Sequence, residues 1–468
     1  MYRDKKMIGF IDNENTRLAG KIASLAEKEG GRAFYVGGCV RDHLRGVPVK
    51  DIDIEVHGIT PQKLEAILDT LGQRLNIGAF FGIYGIKGYE VDIALPRREK
   101  KEGEGHRDFS VEVDPFAGTL SAARRRDFTI NALMMDILTG EIIDHFDGIE
   151  DLKSGILRAV SADTFAEDPL RVLRGAQFAA RFGYRLDDET VELCRGMDLA
   201  ALSRERVEGE LKKAMLTSDR PSVFFEVLRQ CGALSPWFTE AEALIDVRQD
   251  PRFHAEGDVW THTMMVIDEA AKYSGSVSNP FGFMLAALTH DFGKAVSTTE
   301  TGGAVHAYGH EEESVRIAAA FMDRLTGEKE LRNYVLNLTK YHMKPNTVAA
   351  DRSAVKTTNR MFDESVDPEA LIYLATADSL GKISEGTYVS YEEFLFERLE
   401  IYREYMARPY VMGRDLIAAG VQPGEDFSEL LSYAHKLRLA GIPKDEALKQ
   451  VISRARKERE KGKNGLSH

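Results

Sequence analysis

The sequence predicts an α/β head built on a mixed sheet, followed by a mainly α-helical remainder. Short strand-like apolar runs at 33–37, 51–56, 83–87 and 89–95 alternate with helical segments at 38–45 and 61–70. From about residue 162 the apolar positions recur instead at helical spacing, and that periodicity persists along the chain. Length adds a third observation. A chain of 468 residues exceeds what one hydrophobic core serves, so about three or four domains are expected.

Taken in order, residues 12–30 place apolar and charged positions at helical spacing and run into Gly30-Gly31. A strand at 33–37 ends in Gly37-Gly38 and leads into a helix at 38–45. The strand at 51–56 alternates Asp51 and Asp53 with isoleucines; after the helix at 61–70 come the strands at 83–87 and 89–95, the latter containing Asp92. Residues 97–107 are polar and glycine-containing and are expected to form a mobile loop. A strand-turn-strand follows around 134–146, with Thr139-Gly140 as its turn.

Glu167-Asp168-Pro169 opens an amphipathic helix carrying Leu170, Val172, Leu173, Phe178 and Phe182, with proline at its first position and Gly183 at its end. Further helices are expected at 188–195, 204–216, 221–231, across 258–292, at 310–325, and near 388–407, 426–440 and 443–460. Pro251 and the loop 274–280 are the expected joints. There is no internal repeat and no low-complexity segment.

Hydrophobic content of 43% and charged content of 29% are those of an ordinary globular protein. No apolar run reaches the roughly 18 residues of a membrane span, and the first ten residues lack the apolar core of a secretory signal. Cys39, Cys194 and Cys231 are few, odd in number and far apart, which predicts reduced thiols in a cytoplasmic protein, with no disulfide framework and no zinc knuckle. A net charge of −13 argues against broad nonspecific nucleic-acid binding. Basic clusters at Arg97-Arg98, Arg124-Arg125-Arg126, Arg171/Arg174 and 454–463 remain, although such clusters are more often solvated faces.

The most informative stretch lies at 35–53. Gly37 and Gly38, without Cβ atoms, let backbone N–H groups approach a phosphate closely. Arg41 follows Gly38 by three positions, where a guanidinium reaches the same phosphates. In a strand, Asp51 and Asp53 point to one face, and a carboxylate pair of that kind binds Mg²⁺ for two-metal phosphoryl transfer. Each feature is weak alone; together they make a nucleotidyltransferase site the leading reading. Asp92 either completes this metal site or acts as base for the attacking hydroxyl, or is an edge-strand aspartate facing water. Arg126 and Asp127 sit in a basic triplet packed against an apolar run, suited to a triphosphate and a ribose hydroxyl, or equally to a surface ion pair. Asp168 and Arg171, three apart at a helix start with Arg174 one turn on, offer acceptors and donors to a base edge; taken alone, such an aspartate is a cap.

These motifs, in order, resemble the bacterial class II tRNA nucleotidyltransferases, the family of CCA-adding enzymes and poly(A) polymerases. The residues carrying the resemblance are Gly37-Gly38-x-Val40-Arg41-Asp42, Asp51-x-Asp53, Arg125-Arg126-Asp127-Phe128-Thr129-x-Asn131-Ala132, Asp147-Gly148-x-x-Asp151-Leu152, Glu167-Asp168-x-x-Arg171-x-x-Arg174 and Glu205-Arg206-x-x-x-Glu210. The resemblance implies a polymerase-β-like head. It assigns the triphosphate to Gly38 and Arg41 (with Gly37 in the cradle), Mg²⁺ to Asp51 and Asp53, and ribose contact to Arg126 and Asp127. Base reading for CTP or ATP falls to Asp168 and Arg171, with Arg174 also at the nucleotide. Gln177 departs from the family, many of whose members have arginine there.

The second half has its own set. His262 in Trp260-Thr261-His262-Thr263, the pair His290-Asp291 before Phe292-Gly293-Lys294, and Asp378 in Ala375-Thr376-Ala377-Asp378 bring imidazoles and carboxylates from separate helices. A lone histidine is usually structural, but this ordered set resembles the HD-type phosphohydrolases and implies a second divalent metal. His254, His306, His310 and His342 crowd the same region, with His310 and His342 the further candidate ligands. Residues 224–234 also resemble the branch of the family that bears an HD domain.

The resemblance therefore divides the chain into a nucleotidyltransferase head (1–155), a helical neck and body for base reading and RNA binding (156–245), an HD phosphohydrolase domain (246–385) and a helical C-terminal region (386–468). It implies template-independent addition of CCA to the tRNA 3′ end from CTP and ATP, with an HD-domain phosphatase or phosphodiesterase activity. Two alternatives stand beside it: an A-adding enzyme or poly(A) polymerase of the same family, and an HD phosphohydrolase whose head merely binds RNA.

Overall fold

Ile52, Ile54 and Val56 alternate with Asp53, Glu55 and His57, so one strand acquires an apolar face and a charged face. A computed structural model describes residues 10–49, 51–78, 82–101, 109–252, 254–302, 304–383, 389–424 and 426–464. Two units form: one holds the chain up to Ala214 with Val223–Ala233, the other Met215–Ser222 with the chain from Leu234 onward.

In the first unit the strands are β1 (Arg32–Val36), β2 (Ile52–His57), β3 (Arg74–Gly78), β4 (Ile83–Ile86), β5 (Val91–Ala94), β6 (Arg97–Lys101), β7 (Phe109–Val113), β8 (Met134–Asp136) and β9 (Ile142–Ile143), with a short parallel pair, β10 (Ile156–Leu157) and β11 (Arg185–Leu186), beyond them. A seven-stranded sheet takes the order β3-β4-β5-β2-β1-β8-β9. Its β2–β5 pair is parallel and the other neighbours are antiparallel, which makes the sheet mixed. Ile52, Ile54 and Val56 pack with Leu18, Ile22 and Ala26 of the helix Glu14–Lys28 and with Leu64 and Leu68 of the helix Pro61–Leu71. Those helices cover one face, and Asp53, Glu55 and His57 therefore stand on the other.

The second unit is mainly helical. The helix Pro280–Thr289 is buried from Phe281 to Thr289 on every side, as its apolar composition requires, and forms the centre. Asn279 accepts the Gly282 N–H, Pro280 fixes the first turn, and the helix runs straight into His290. Asp258 caps the helix Val259–Ala271 by accepting from the Thr261 N–H, and Asp367 caps Pro368–Leu380 by accepting from the Ala370 N–H. These caps set the rotation of helices that carry His262 and Asp378. At the C-terminal end Leu416, Leu430, Ala434, Ala447 and Val451 form a small apolar cluster of their own.

Several expectations need correction. The polar stretch 97–107 is not all loop: β6 pairs antiparallel with β7 from Arg97↔Val113 to Lys101↔Phe109, while 102–108 lie outside the described residues. β7 does alternate apolar and polar residues (Phe109, Val111 and Val113 against Ser110 and Glu112), but its partner β6 is charged throughout and gives no strand signal of its own. β3 likewise escaped prediction. The expected joint at 274–280 instead connects the packed helices Val259–Ala271 and Pro280–Thr289 within one unit. Short strands also interrupt the helical half, at Thr299–Thr301 and Ala304–His306.

Candidate functional site

In the first unit, Gly37 closes β1 and caps the helix Gly38–Leu44 with φ +70°. That left-handed conformation suits glycine, and a Cβ there would stand 2.8 Å from Nη1 of Arg126. The turn thus sits directly beside an arginine. Parallel pairing puts Asp53 opposite Asp92, on adjacent strands and the same face. β5 lies between β4 and β2, so Asp92 is not on an edge strand. Asp51 precedes β2 in a bend and acts on Asp53 as a like charge. Burial, with Asp92 and Asp51, pushes the Asp53 carboxyl above its ordinary value against the pull of Arg126. Asp53 and Asp92 both line a cavity of about 300 Å³, shared with Glu55, Arg97, Arg125 and Arg126. Carboxylates that repel one another around a cavity suit a divalent cation, and Asp51, Asp53 and Asp92 would hold it.

Glu55 was not singled out from the sequence, although it continues the alternation of Asp51 and Asp53. It is 1% exposed and accepts from His57 Nε2 at 2.8 Å. Its second oxygen faces Nη2 of both Arg125 and Arg126 at 3.7 Å. Burial opposes its charge, but His57 and the two guanidinium groups hold its pKa down to about 2. Glu55 therefore fixes both arginines at the cavity.

The remaining cationic residues are more tied than the sequence suggested. Arg41 is buried, donating to Asp42 from Nε and Nη2 (2.9 and 3.0 Å) and to Asn131 from Nη1 (2.7 Å), with Phe182 beneath it. It braces the glycine turn from within the fold, and part of its donor set is committed there. Arg174 donates from Nε to Asp127 at 2.7 Å. Although burial opposes it, Arg174 together with Asn131 holds the Asp127 carboxyl below its ordinary value. Arg171 donates to the carbonyls of Thr164 and Arg125, joining the start of the helix Leu170–Phe182 to the arginine triplet. Asp168 pairs with Arg206 at 2.8 Å rather than with Arg171. Gln177 is buried in the helix Leu170–Phe182.

The second unit gathers its histidines and aspartates at one point. His262 Nε2 lies 3.1 Å from Asp378 Oδ1 and 3.4 Å from His290 Nε2, and His290 Nε2 lies 3.2 Å from Asp291 Oδ2. His310 and His342 approach the other oxygen of Asp291, at 3.3 and 3.9 Å. His306 lies in the adjoining strand and is not in this group. His290, His310 and His342 each point Nδ1 at the backbone carbonyl three residues back, at 2.8, 2.9 and 2.7 Å. A carbonyl only accepts, so each Nδ1 carries the proton and each Nε2 lone pair faces inward.

Nε2 of His310 and His342 and Oδ1 of Asp291 are buried without a hydrogen-bond partner among the described residues. Orphaned acceptors converging in this way fit a divalent ion, which His262, His290 and Asp291, with Asp378 beside His262, could hold, Asp291, His310 and His342 offering a second position. The 3.4 Å between the His262 and His290 nitrogens is the spacing of two ligands each about 2.1 Å from one ion. Burial, aided by neighbouring His290, pushes His342 down to about 3 and keeps it a neutral donor.

Three further residues complete the centre without having been foreseen. Glu256 accepts from Nδ1 of His254 (2.7 Å) and stands 3.3 Å from Nδ1 of His262. Lys294 reaches Asp291 at 2.7 Å, and Lys382 reaches Asp378 at 3.1 Å. Lys382 lies one turn after Asp378, a spacing that could have flagged it, whereas Glu256 sits in a loop with no local signal.

Two family models match the chain: the poly A polymerase head domain over residues 33–158 and the HD domain over residues 259–382. A multifunctional CCA protein of Nitrosococcus oceani is 36% identical over 414 residues, covering 85% of this chain and 95% of that protein. Another, from Actinobacillus pleuropneumoniae serotype 5b, is 39% identical over 316 residues, 66% of this chain and 74% of its own length. Among solved structures, the Thermotoga maritima CCA-adding enzyme complexed with tRNA shares the fold at a TM-score of 0.60 and 21% identity, over 94% of each chain.

Proposed function

The chain belongs to the family of multifunctional CCA proteins, and from that premise we propose that it adds CCA to the tRNA 3′ end from CTP and ATP without a nucleic-acid template. The terminal ribose hydroxyl attacks the α-phosphate, and pyrophosphate leaves. The observation that carries this reading is the register pairing of Asp53 with Asp92 beside the glycine turn, in a cavity also lined by Arg125 and Arg126. Mg²⁺ is the proposed ion, and when bound by Asp51, Asp53 and Asp92 it supplies charge for the attacking and leaving oxygens. Arg126, braced by Glu55, lies next to the Gly37 turn and takes the triphosphate there. Arg174 positions Asp127 for the ribose, and Asp168 and Arg171 read the base from the start of the helix Leu170–Phe182. Catalysis rests on positioning and charge stabilisation, as phosphoryl transfer generally requires.

In the second unit we propose hydrolysis of phosphate esters, with 2′,3′-cyclic phosphates at RNA ends as a candidate class. A divalent ion held by His262, His290, Asp291 and Asp378 supplies Lewis acidity toward a phosphoryl oxygen. Lys294 and Lys382 balance the carboxylates and present ammonium groups beside them. No helix among the described residues is long and apolar enough to cross a membrane, and the three cysteines are free and buried, which suits a reducing cytoplasm.

Sequencing the ends of a tail-less tRNA after incubation with CTP, ATP or both tests the first activity. Cytidine followed by a terminal adenosine is expected. Adenosine alone would assign the chain to A addition. Addition undiminished by Asp53→Ala would remove the proposed catalytic centre.

A further inference from the structure

The second unit holds a cavity of about 730 Å³, large enough for a nucleotide, whose inner wall includes Lys294, Lys382, His254 and His310. Those groups adjoin the cluster of orphaned acceptors, so this wall is suited to a phosphate. Its other walls differ in character. Tyr308 lines the same cavity yet is 82% exposed, and Val389, also a lining residue, is 60% exposed. The Tyr308 ring lies parallel to His306, with centroids 5.1 Å apart and planes 15° apart. One face of the tyrosine is thus fixed by a partner ring while most of the side chain remains in water. No core packing accounts for that exposure, and a flat ring held on one side presents a stacking surface on the other.

We infer that Tyr308, supported by His306, is a stacking platform for the nucleobase of a nucleoside phosphate bound in this cavity. The inference rests on the hydrolase reading of the metal centre and adds the feature that selects its substrate. A cationic wall beside metal ligands and a planar aromatic face in one cavity match the two ends of a nucleoside phosphate. Because every base has a π face, the platform tolerates purines and pyrimidines alike.

The test uses the full chain loaded with a divalent metal and compares adenosine 2′,3′-cyclic phosphate with glycerol 1,2-cyclic phosphate, which lacks a base. In Tyr308→Ala the ratio of kcat/KM for the nucleoside ester to that for the glycerol ester should fall by about 5- to 150-fold, the factor corresponding to the usual ~1–3 kcal/mol of base stacking. Tyr308→Trp should restore it, and His306→Ala should lower it less. An unchanged ratio in Tyr308→Ala overturns the platform.

Binding of adenosine 2′-phosphate and glycerol 2-phosphate, measured by calorimetry in wild type and Tyr308→Ala, separates the two claims. If neither ester is hydrolysed but nucleotide affinity alone depends on Tyr308, the platform stands and the hydrolase reading falls. If neither affinity responds to the substitution, the platform falls.

Discussion

Asp53 sits where burial and two like charges raise its pKa and one arginine lowers it. A proton and a divalent cation therefore compete for the same carboxylate. At limiting Mg²⁺, nucleotide addition should decline on acidification from a pH above the ordinary carboxylate range, and extra Mg²⁺ should move that decline to lower pH. A pH profile recorded at two Mg²⁺ concentrations checks this; superimposable profiles would count against competition at Asp53. Glu55 behaves in the opposite sense. Its pKa falls from 4.5 to about 2 on folding, so the folded state releases this proton more readily than the unfolded chain. The stability it contributes is complete above pH 4.5 and is lost as pH falls through about 2. Glu55→Gln should therefore cost about 1–3 kcal/mol at pH 7. In urea unfolding the gap between variant and wild type should narrow below pH 4.5. A gap independent of pH would mean that Glu55 acts by shape alone. The same substitution should also reduce addition, because Arg125 and Arg126 lose the carboxylate that faces them.

Glycine sets the approach of one element to another at Gly293, in the turn after His290-Asp291. Its N–H donates to Ser314 Oγ at 2.8 Å, and a Cβ there would stand 2.1 Å from the His310 carbonyl oxygen and 2.5 Å from the Ser314 nitrogen. Gly293→Ala should force the helix His310–Leu325 away and misplace His310 relative to Asp291. Metal content after dialysis should fall while circular dichroism keeps most of its helical signal; full metal retention would show that the turn adapts. At this scale the sequence revealed whatever burial periodicity or a local motif encodes. β2 showed both its alternation and its acids, and the helix ending in His290 was legible from its unbroken apolar run. The hairpin β6–β7 and β3 were not: β6 consists of charged residues alone, and β3 offers only Leu75 and Ile77 as apolar positions, an alternation too short to stand out. Ion-pair choices were also hidden. Asp168 takes Arg206, 38 residues away, over the nearer Arg171, and Glu256 reaches His262 from a loop. Such pairings depend on tertiary placement, to which i,i+3 spacing is only a weak guide.

The two proposed centres share no residue: the acids around Asp53 lie in the first unit and the histidines around Asp291 in the second. Their chemistry should therefore separate by substitution. Asp53→Ala should abolish addition and spare phosphoester hydrolysis, and His290→Ala should do the reverse; loss of both activities in either variant would speak for one shared centre. The two centres should also differ in what their metals do for stability. Among the head acids Asp51 and Asp92 are exposed and Asp53 is half-buried, and Mg²⁺ in such a site usually keeps several waters and binds loosely. In the second unit, by contrast, His262, His290, Asp291 and His342 are at most 1% exposed, and their inward-facing acceptors destabilise the unit whenever no cation satisfies them. An ion bound at a hundred times its Kd would stabilise that unit by about 2.7 kcal/mol, which for a unit of this size is roughly 5–10 °C in Tm. Calorimetry before and after chelation should show one transition falling by that amount, with restoration by added divalent metal. The double variant His290→Ala/Asp291→Ala should no longer respond to chelator. A chelator shift that persists in the double variant would place the stabilising ion elsewhere in the chain.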